Sequence, residues 1–451
     1  MRECNAYLVE SIPIGMESLE VIDGVKYHKD LLIDLTNNAS ETIDLTAMYL
    51  TLKPNLQRLD EKGFKEEQIL DMGGNYGRNL FYALERAAKR GVKIRIIHCS
   101  TFEENEKIQD LSELKMYKNQ VEVRRINMKD WYDGGRMHLK IWIVDNKDIH
   151  MGSANMDWRS LTQVKELGIV LEDQPEFSKD VIRYFGSWWH IASIETPKKE
   201  NVSDPAYGFD RTVPAWSPLV PKEKRLPSPL KKEVFGTHYN WENPMSIVLN
   251  GQEAEAFITG CPVEFCAPGR TYDGDALVKT ILEAQKSVCI NVMDFAPVSL
   301  YRTAAVAWWP LLFDALMRAV ITNGVQVRLL VSKWAFTHSI MEPFLRVLKD
   351  TASAGRVSYS TTSGSLEIRL FCVPGWQSTV GPKRLYPGHT RVNHTKYIVT
   401  DNRLNIGTSN MTWDNFHNYA GASFNTNHPG LVKKLQEIFD RDWESKYAYP
   451  F

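Results

Sequence analysis

The chain has 451 residues, carries a formal net charge of −1 at pH 7, and is 43% hydrophobic and 24% charged. A chain of this length exceeds one ordinary hydrophobic core, so we expect two domains or two large halves. The composition is typical of a soluble globular protein. The near-zero net charge excludes a globally basic nucleic-acid-binding protein. A near-zero net charge is still compatible with a local basic groove, because phosphate binding depends on the electrostatic potential near the site.

Targeting segments and cysteines give only general expectations. No apolar run reaches the length of about 18 residues that a membrane span needs, and residues 1–4 lack the apolar run of a secretory signal. We therefore expect a cytoplasmic protein by default, and an endolysosomal or secreted one if a leader has been removed. The six cysteines have no zinc-site spacing, so neither a metal nor a cofactor is predicted.

In chain order, the first predicted elements are a buried strand at residues 42–49, a helix that ends near Gly91, and a second strand. Apolar runs without alternation indicate strands that are covered on both faces, and Gly91 suits the position just after a helix. A similar series recurs at residues 287–294 and 315–330. The chain is therefore predicted to contain two similar α/β halves.

A short motif follows the second strand of each half. Both copies read H-x-K-x4-D and are followed by a G-[ST]-[AS]-N box. The copies consist of His138, Lys140, Asp145, Gly152, Ser153, Ala154 and Asn155, and of His394, Lys396, Asp401, Gly407, Thr408, Ser409 and Asn410. We predict a strand, a turn at the aspartate and a return strand in each. Because residues two apart in a strand share a face, the repeat predicts two imidazoles and two ammonium groups in one pocket.

The segment between the halves is rich in proline. Proline removes backbone donors and fixes φ, so residues 195–240 are predicted to form an extended connector packed on the surface. Tyr207, Phe209 and Trp216 are available to anchor it. The predicted domains are therefore a first half at residues 1–194 and a second half at residues 241–451.

The paired motifs suit phosphodiester chemistry. A phosphodiester needs a nucleophile, an acid for the leaving oxygen and positive charge on the non-bridging oxygens. Histidine serves the first two roles. The predicted phosphate ligands are Lys140, Lys396, Asn155, Asn410, Ser153 and Ser409.

The catalytic set also includes acidic residues. Glu166 is placed to orient one imidazole. The corresponding region of the second half, residues 415–421, offers Asn418 and no carboxylate, so the two histidines are predicted to be inequivalent. Asp145 and Asp401 complete the set, with turn formation or pairing with basic groups as their alternative role. Taken singly, each of these residues is more often structural, and the joint recurrence favours the active site.

The paired motifs resemble those of the phospholipase D superfamily. Further segments are similar to one subgroup, which contains animal endolysosomal phospholipase D-like exonucleases and viral nicking-joining enzymes. They are residues 8–13, 152–168, 391–394, 406–410 and 441–443. The resemblance implies an α/β fold of two duplicated αβα-sandwich halves with pseudo-twofold symmetry and one shared active site.

The resemblance also implies a mechanism and a substrate. The mechanism would proceed in two steps through a phosphohistidine, without a metal. His138 would be the nucleophile and His394 the acid and then the base, with the reverse assignment left open. The implied substrate is single-stranded DNA or RNA cleaved from the 5′ end. The alternatives are a phospholipase D or transphosphatidylase acting on glycerophospholipids and an inactive phosphate-binding homologue, and a homodimer is left open.

Three departures from the subgroup qualify this prediction. Asn418 stands where relatives carry a carboxylate. The segment after Val170 lacks the cysteines that pair with N-terminal ones in lysosomal members, so Cys4 is expected to have no such partner. From the sequence given, a membrane anchor like that of the luminal members is not expected.

Overall fold

Two mixed β-sheets, one from each half of the chain, form the framework of the protein. The computed structural model describes residues 5–16, 18–100, 105–302, 305–354 and 364–451, so the expectation for Cys4 lies outside the described residues. The strands of the first half are β1 (Asn5–Ser11), β2 (Lys26–Tyr27), β3 (Thr42–Ala47), β4 (Leu50–Thr51), β5 (Lys93–Cys99), β6 (Val121–Ile126), β7 (Ile141–Val144), β8 (Asp148–Gly152), β9 (Met156–Asp157) and β10 (Glu166–Glu172). The later strands are β11 (Lys199–Asp204), β12 (Phe209–Pro214), β13 (Met245–Leu249), β14 (Gln252–Cys261), β15 (Ser287–Val292), β16 (Gln326–Ser332), β17 (Ser365–Phe371), β18 (Lys396–Thr400), β19 (Leu404–Gly407), β20 (Gly421–Thr426) and β21 (Ala448–Pro450).

Helices cover and separate the sheets. Those of the first half are α1 (His28–Asn38), α2 (Glu66–Asp71), α3 (Gly74–Lys89), α4 (Asn105–Leu114), α5 (Trp158–Thr162) and α6 (Pro175–Ile191). The later ones are α7 (Lys232–Phe235), α8 (Asp273–Glu283), α9 (Leu311–Met317), α10 (Met341–Ala354), α11 (Trp413–His417) and α12 (Pro429–Glu444). Within the described ranges, no helix combines the length and the apolar character that a bilayer crossing requires.

The two sheets repeat one topology. The first has the strand order β2-β1-β10-β8-β7-β3-β5-β6, and the second has the order β13-β14-β20-β19-β18-β15-β16-β17-β21. Seven neighbouring strands of the first sheet, in the spatial order β1-β10-β8-β7-β3-β5-β6, match seven of the second, in the order β14-β20-β19-β18-β15-β16-β17. Each matched pair of neighbours has the same parallel or antiparallel sense. The predicted duplicated α/β fold is confirmed.

Apolar packing joins the halves into one body. The outer face of the first sheet packs against α1 and α3, and that of the second against α8, α9 and α10. A central core lies between the inner faces, where Ile143 of β7 and Val399 of β18 share one cluster with Phe185 of α6 and Phe439 of α12. Burying large side chains of this kind contributes about 1.5–3 kcal/mol each. The central core therefore holds the two motif-bearing sheets facing each other.

The predicted helix ends are present, with one local difference. Helix α3 ends before Gly91, which has the positive φ of +97° expected just after a helix. In the second half, α9 continues as a π-helical turn, Arg318–Thr322, before Gly324 at φ +71°. The recurrence of the series at residues 315–330 predicted the helix but does not distinguish an α turn from a π turn.

The segment between the halves contains a hairpin of β11 and β12, so it is not simply extended. Tyr207 packs edge-on against Trp413 at 5.8 Å between ring centroids, and the indole N–H of Trp216 donates to the carbonyl oxygen of Glu264 (2.8 Å). These contacts attach the segment to the second half. The proposed boundaries, with the connector at residues 195–240, stay a prediction.

Candidate active site

One cavity between the two halves holds both predicted histidines. Its volume is about 310 Å³. His138 and Asn155 line it from the first half, and His394 and Asn410 line it from the second, together with Glu166. The duplicated motifs therefore meet at one place, as the internal repeat predicts.

Each H-x-K segment leads into a central strand, β7 or β18. Lys140 Nζ donates to the carbonyl oxygen of His138 (2.9 Å), and Lys396 Nζ donates to that of His394 (2.6 Å). Both lysines are buried, and neither lines the cavity. They therefore lie behind the histidines. From there they act on the cavity by long-range electrostatics and not by direct contact.

The carboxylate of Glu166 pairs with the histidine of the other half. Its two oxygens lie 3.0 and 2.9 Å from Nδ1 of His394. The N–H of Lys165 donates to the carbonyl oxygen of Val392 (2.9 Å), and the N–H of His394 donates to that of Lys165 (2.8 Å). These backbone bonds fix the carboxylate beside the ring. The carboxylate favours a proton on Nδ1, which leaves Nε2 with a free lone pair.

His138 lacks an equivalent partner. Its backbone N–H donates to the carbonyl oxygen of Ala420 (3.1 Å), which mirrors the bond from His394 to Lys165. Its Nδ1 atom is buried and has no hydrogen-bond partner among the described residues. The predicted inequivalence of the two histidines is therefore present in the geometry.

Strand register identifies Gly421, and not Asn418, as the counterpart of Glu166. The glycines that end β8 and β19 each pair with the third residue of the next strand, β10 or β20. The first residues of those strands, Glu166 and Gly421, are therefore equivalent. A Cβ at Gly421 would collide with Ser409 Oγ, so no carboxylate fits there. The inequivalence thus arises from a missing side chain, which corrects the expectation for Asn418.

Burial lowers the pKa of both imidazoles. Burial, reinforced by Lys140 and Lys396, holds the pKa of His138 well below its usual range. Burial lowers the pKa of His394 to about 4, although Glu166 acts to raise it. Burial also lowers the pKa of Lys396 to about 8, and burial together with Lys396 holds the pKa of Lys140 well below its usual range. Before an anion enters the cavity, both rings are therefore neutral near pH 7 while Lys396 is mostly charged.

The two asparagines have matched partners that the sequence reasoning missed. Asn155 Nδ2 donates to Tyr49 Oη (3.3 Å), and Asn410 Nδ2 donates to Asp294 Oδ2 (2.9 Å). Tyr49 and Asp294 each stand two residues beyond a central strand, β3 or β15. Residues 42–49 and 287–294 are similar in sequence, and Tyr49 and Asp294 are the last residues of these two segments, so the sequence contains the signal that pairs them. The amide oxygens of both asparagines are buried and have no hydrogen-bond partner in the described ranges, so each can still accept a hydrogen bond at the cavity wall.

The two predicted serines do not line the cavity. Ser153 Oγ donates to the carbonyl oxygen of Leu167 (3.1 Å) and accepts from the N–H of the same residue (3.0 Å). Its counterpart by register is Thr408, which accepts from the N–H of Ala422 (3.1 Å). Ser409 is therefore not the equivalent of Ser153. The positions favour a role in strand packing over the predicted contact with phosphate.

Asp145 and Asp401 lie outside the cavity, beyond the far ends of β7 and β18. Asp145 accepts from the N–H groups of Ser40, Glu41 and Thr42 (2.7–3.2 Å). Partial burial opposes its ionisation, but these N–H groups lower its pKa overall. Asp401 accepts in the same way from the backbone of residues 285–287. This geometry supports the alternative role in turns over the predicted catalytic one.

We predict that Asp145→Ala lowers the stability of the protein and leaves its catalytic activity nearly unchanged. Loss of the backbone hydrogen bonds should lower the free energy of unfolding by about 1–3 kcal/mol. The kcat of the folded protein should stay within about twofold, because the cavity is untouched. Urea unfolding and turnover below the thermal midpoint measure the two quantities. A loss of kcat beyond a hundredfold at unchanged stability would instead give Asp145 a catalytic role.

Comparison with known proteins places the chain in a family. The description "Cardiolipin synthase, PLD-like domain" matches residues 32–189, and "PLD3/4, PLD-like domain" matches residues 198–376. The chain is 33% identical over 449 residues to a probable phospholipase D of Caenorhabditis elegans, covering 99% of this chain and 70% of that protein. It is 32% identical to the virion nicking-joining enzyme of Vaccinia virus (strain Western Reserve), covering 98% and 89%. It is also 32% identical to the 5'-3' exonuclease PLD3 of Rattus norvegicus, covering 99% and 80%.

The fold agrees with these relationships. The solved structure of phosphatidylserine synthase from Haemophilus influenzae Rd KW20 covers 99% of this chain and 87% of its own, with a TM-score of 0.56 at 11% identity. At that identity the likeness shows a shared fold alone. Both halves match PLD-like domains, and the relatives extend over nearly the whole chain. The chain therefore belongs to the phospholipase D superfamily, in the subgroup of PLD3-type exonucleases and viral nicking-joining enzymes, and it is a phosphodiester hydrolase.

Proposed function

We propose that the protein cleaves single-stranded DNA or RNA from the 5′ end through a covalent phosphohistidine. The observation that carries the proposal is the His394–Glu166 pair (2.9 Å) facing the same cavity as His138. Together the two imidazoles provide a nucleophile and an acid, and the buried lysines provide positive charge. The names of two relatives, a 5'-3' exonuclease and a nicking-joining enzyme, support the substrate class.

The geometry favours His394 as the nucleophile, which is the reverse of the assignment that the resemblance implies. Glu166 holds the proton on Nδ1, so Nε2 can attack phosphorus with its lone pair. As the N–P bond forms, the bond from phosphorus to the leaving oxygen breaks, and His138 donates a proton to that oxygen. The positive charge that develops on the phosphorylated ring lies beside the Glu166 carboxylate. Within the described part of the chain, no carboxylate is hydrogen-bonded to His138 to oppose such a charge.

Hydrolysis of the intermediate reverses the roles of acid and base. His138, now neutral, takes a proton from water while the water oxygen bonds to phosphorus and the N–P bond to His394 breaks. Lys396 supplies positive charge to the non-bridging oxygens in both steps. Burial holds the pKa of Lys140 well below its usual range, so Lys140 adds its charge once the bound phosphate anion favours the protonated form. Because burial and these lysines hold the pKa of His138 low, a bound phosphate anion is needed to raise it. Substrate binding and protonation of His138 are therefore expected to be coupled.

An aromatic wall formed by Trp334, Phe336 and His389 favours a nucleobase over an acyl chain. All three residues line the cavity. Phe336 and His389 stack with ring centroids 4.6 Å apart and planes inclined by 11°, and Phe336 remains 42% exposed. Exposed rings beside a phosphate site suit stacking of the bases of a single strand. A glycerophospholipid would instead need a long apolar groove next to the histidines.

The test compares two substrates in one preparation. A single-stranded oligonucleotide with a 5′-hydroxyl should be shortened from that end, and short-chain phosphatidylcholine should remain at background. His138→Ala and His394→Ala should each lose oligonucleotide turnover by about 10³-fold or more while they retain oligonucleotide binding. Turnover of the lipid alone would support the phospholipase D alternative. Binding of the oligonucleotide without turnover of either substrate by the wild type would support the inactive homologue.

A further inference from the structure

A buried ionic cluster of Glu10, Lys165, Arg441 and Asp442 lies behind Glu166 and has no part in the chemistry above. Lys165 Nζ lies 2.7 Å from Asp442 Oδ2 and 3.4 Å from Glu10 Oε1. Arg441 Nη2 lies 2.7 Å from Glu10 Oε1 and 2.8 Å from Asp442 Oδ1. The Lys165–Asp442 contact is an ion pair whose angles fall outside the hydrogen-bond range. Two positive charges balance two negative charges, so the ionic cluster is neutral.

The cluster joins three segments that resemble the subgroup but lie outside the H-x-K motifs. Glu10 comes from β1, Lys165 precedes β10, and Arg441 and Asp442 come from α12. The side chains of Glu10, Lys165 and Asp442 are fully buried. Burying charges is costly, and apolar replacement of a buried ion pair is often neutral or stabilising. Stability alone therefore does not account for the ionic cluster. Its location in the structure indicates a role in positioning neighbouring residues.

That location is the backbone on which the Glu166–His394 pair depends. Lys165 immediately precedes Glu166, and neighbouring residues of an extended chain point to opposite sides. One side of the chain therefore carries the carboxylate on His394, and the other carries the ammonium group of the ionic cluster. The backbone of Lys165 meanwhile bonds Val392 and His394 (2.9 and 2.8 Å). A shift of Lys165 would move the carboxylate and the histidine together.

The other half of the molecule provides an internal comparison. Lys165 forms an isolated bridge with Asn393, and Ala420 forms the matching one with Met137. The counterpart of Lys165 is therefore Ala420, just as the counterpart of Glu166 is Gly421. Among the residues that the structure describes, Gly421 supplies no carboxylate to His138, and Ala420 supplies no charged side chain at the position equivalent to Lys165. The charged side chain at the Lys165 position and the carboxylate that follows it thus occur together in one half, and Ala420 and Gly421 replace both of them in the other.

We propose that Lys165 is a positioning residue, held by the ionic cluster so that Glu166 stays on Nδ1 of His394. The inference rests on the proposed function, because it assigns the support of the attacking imidazole. Lys165 does not line the cavity, so it acts through Glu166 and not on the substrate. Misplacement of a catalytic group by about 1 Å can cost a hundredfold in rate. Loosening Lys165 should therefore reduce kcat with little change in KM.

The test removes one balanced pair from the ionic cluster. The double variant Lys165→Met with Asp442→Asn leaves the Glu10–Arg441 pair intact and adds no unpaired buried charge. We expect kcat on the oligonucleotide to fall about 10- to 100-fold. The Nδ1–H proton signal of His394, observed by NMR and assigned by its loss in Glu166→Gln, should broaden or disappear. If this variant does not fold, Lys165→Met with Glu10→Gln removes the other pair and leaves Arg441–Asp442.

A matched control separates positioning from general loss of a buried ion pair. Arg270 and Asp180 form a buried pair (2.6 Å) outside the cavity lining. Arg270→Met with Asp180→Asn should lower stability comparably and leave the His394 signal and kcat near wild type. A wild-type signal and wild-type kcat in the folded Lys165 variants would overturn the proposal. The NMR readout does not depend on turnover, so an inactive wild type would refute the proposed function alone.

Discussion

Glu166→Gln is expected to lower kcat by about 10²- to 10⁴-fold while KM for the oligonucleotide stays nearly unchanged. The substitution preserves shape but replaces the carboxylate, whose oxygens lie 2.9 and 3.0 Å from Nδ1 of His394. A glutamine amide can donate to Nδ1, which would place the ring proton on Nε2 and block attack. It also carries no charge to oppose the phosphorylated ring. Steady-state kinetics on the 5′-hydroxyl oligonucleotide measures the effect.

The loss should be independent of pH. Burial lowers the pKa of His394 to about 4, and Glu166 acts in the raising direction. Removing the carboxylate lowers that pKa further, so His394 is neutral in both proteins above about pH 5. The variant therefore lacks the correct tautomer and orientation, and its protonation state is unchanged. A wild-type to variant ratio that collapses at one end of the range from about pH 5.5 to 8 would contradict this explanation.

Asn418→Ala is the matched control for the other half. Gly421 takes the structural place of Glu166, so loss of the Asn418 side chain should leave kcat within about threefold of wild type. Asn418 is buried, and stability must be measured alongside turnover. If Asn418→Ala loses as much activity as Glu166→Gln at unchanged stability, the assignment by strand register is wrong.

The repeat made much of this site predictable. The H-x-K spacing and the glycine boxes predicted that His138 and His394 would share a pocket, since duplicated strands place equivalent residues around a common axis. The strand at residues 42–49 and its counterpart were also predictable, because central strands are continuous apolar runs. These features depend on local pattern and on internal symmetry, and both are visible in one sequence.

The pairings between halves were not predictable in the same way. Glu166 was recognised as an orienting carboxylate, but its histidine depends on the backbone bonds between Lys165 and residues 392–394. Sequence spacing carries no information about that contact. Asn418 was taken from the region after the second box as the residue that replaces a carboxylate. Gly421 lies eleven residues past Asn410, as Glu166 lies eleven past Asn155, and strand register also selects it. Asp145 lies within the motif, yet its hydrogen bonds go to residues 40–42 and away from the cavity.

His138→Ala and His394→Ala are expected to behave differently on a substrate with a good leaving group. With a thymidine p-nitrophenyl phosphodiester, His138→Ala should release about one equivalent of p-nitrophenolate and then stop. His394→Ala should release none. The weakly basic p-nitrophenolate needs no proton from His138, so attack by His394 proceeds and only the hydrolysis step lacks its base. Stopped-flow absorbance measures the burst, and mass spectrometry should locate the trapped phosphate on the peptide that contains His394.

The wild-type protein supplies the control and the pH test of the same assignment. It should show a burst followed by steady turnover of the p-nitrophenyl ester. On the oligonucleotide, kcat/KM should increase as the pH falls below about 6.5, because burial and the two lysines hold the pKa of His138 well below its usual range and the leaving oxygen needs its proton. The burst rate of His138→Ala should not follow that rise, since no acid takes part. A burst in His394→Ala with phosphate on His138 would restore the assignment implied by the family resemblance, because the attacking ring would then be the one without a carboxylate.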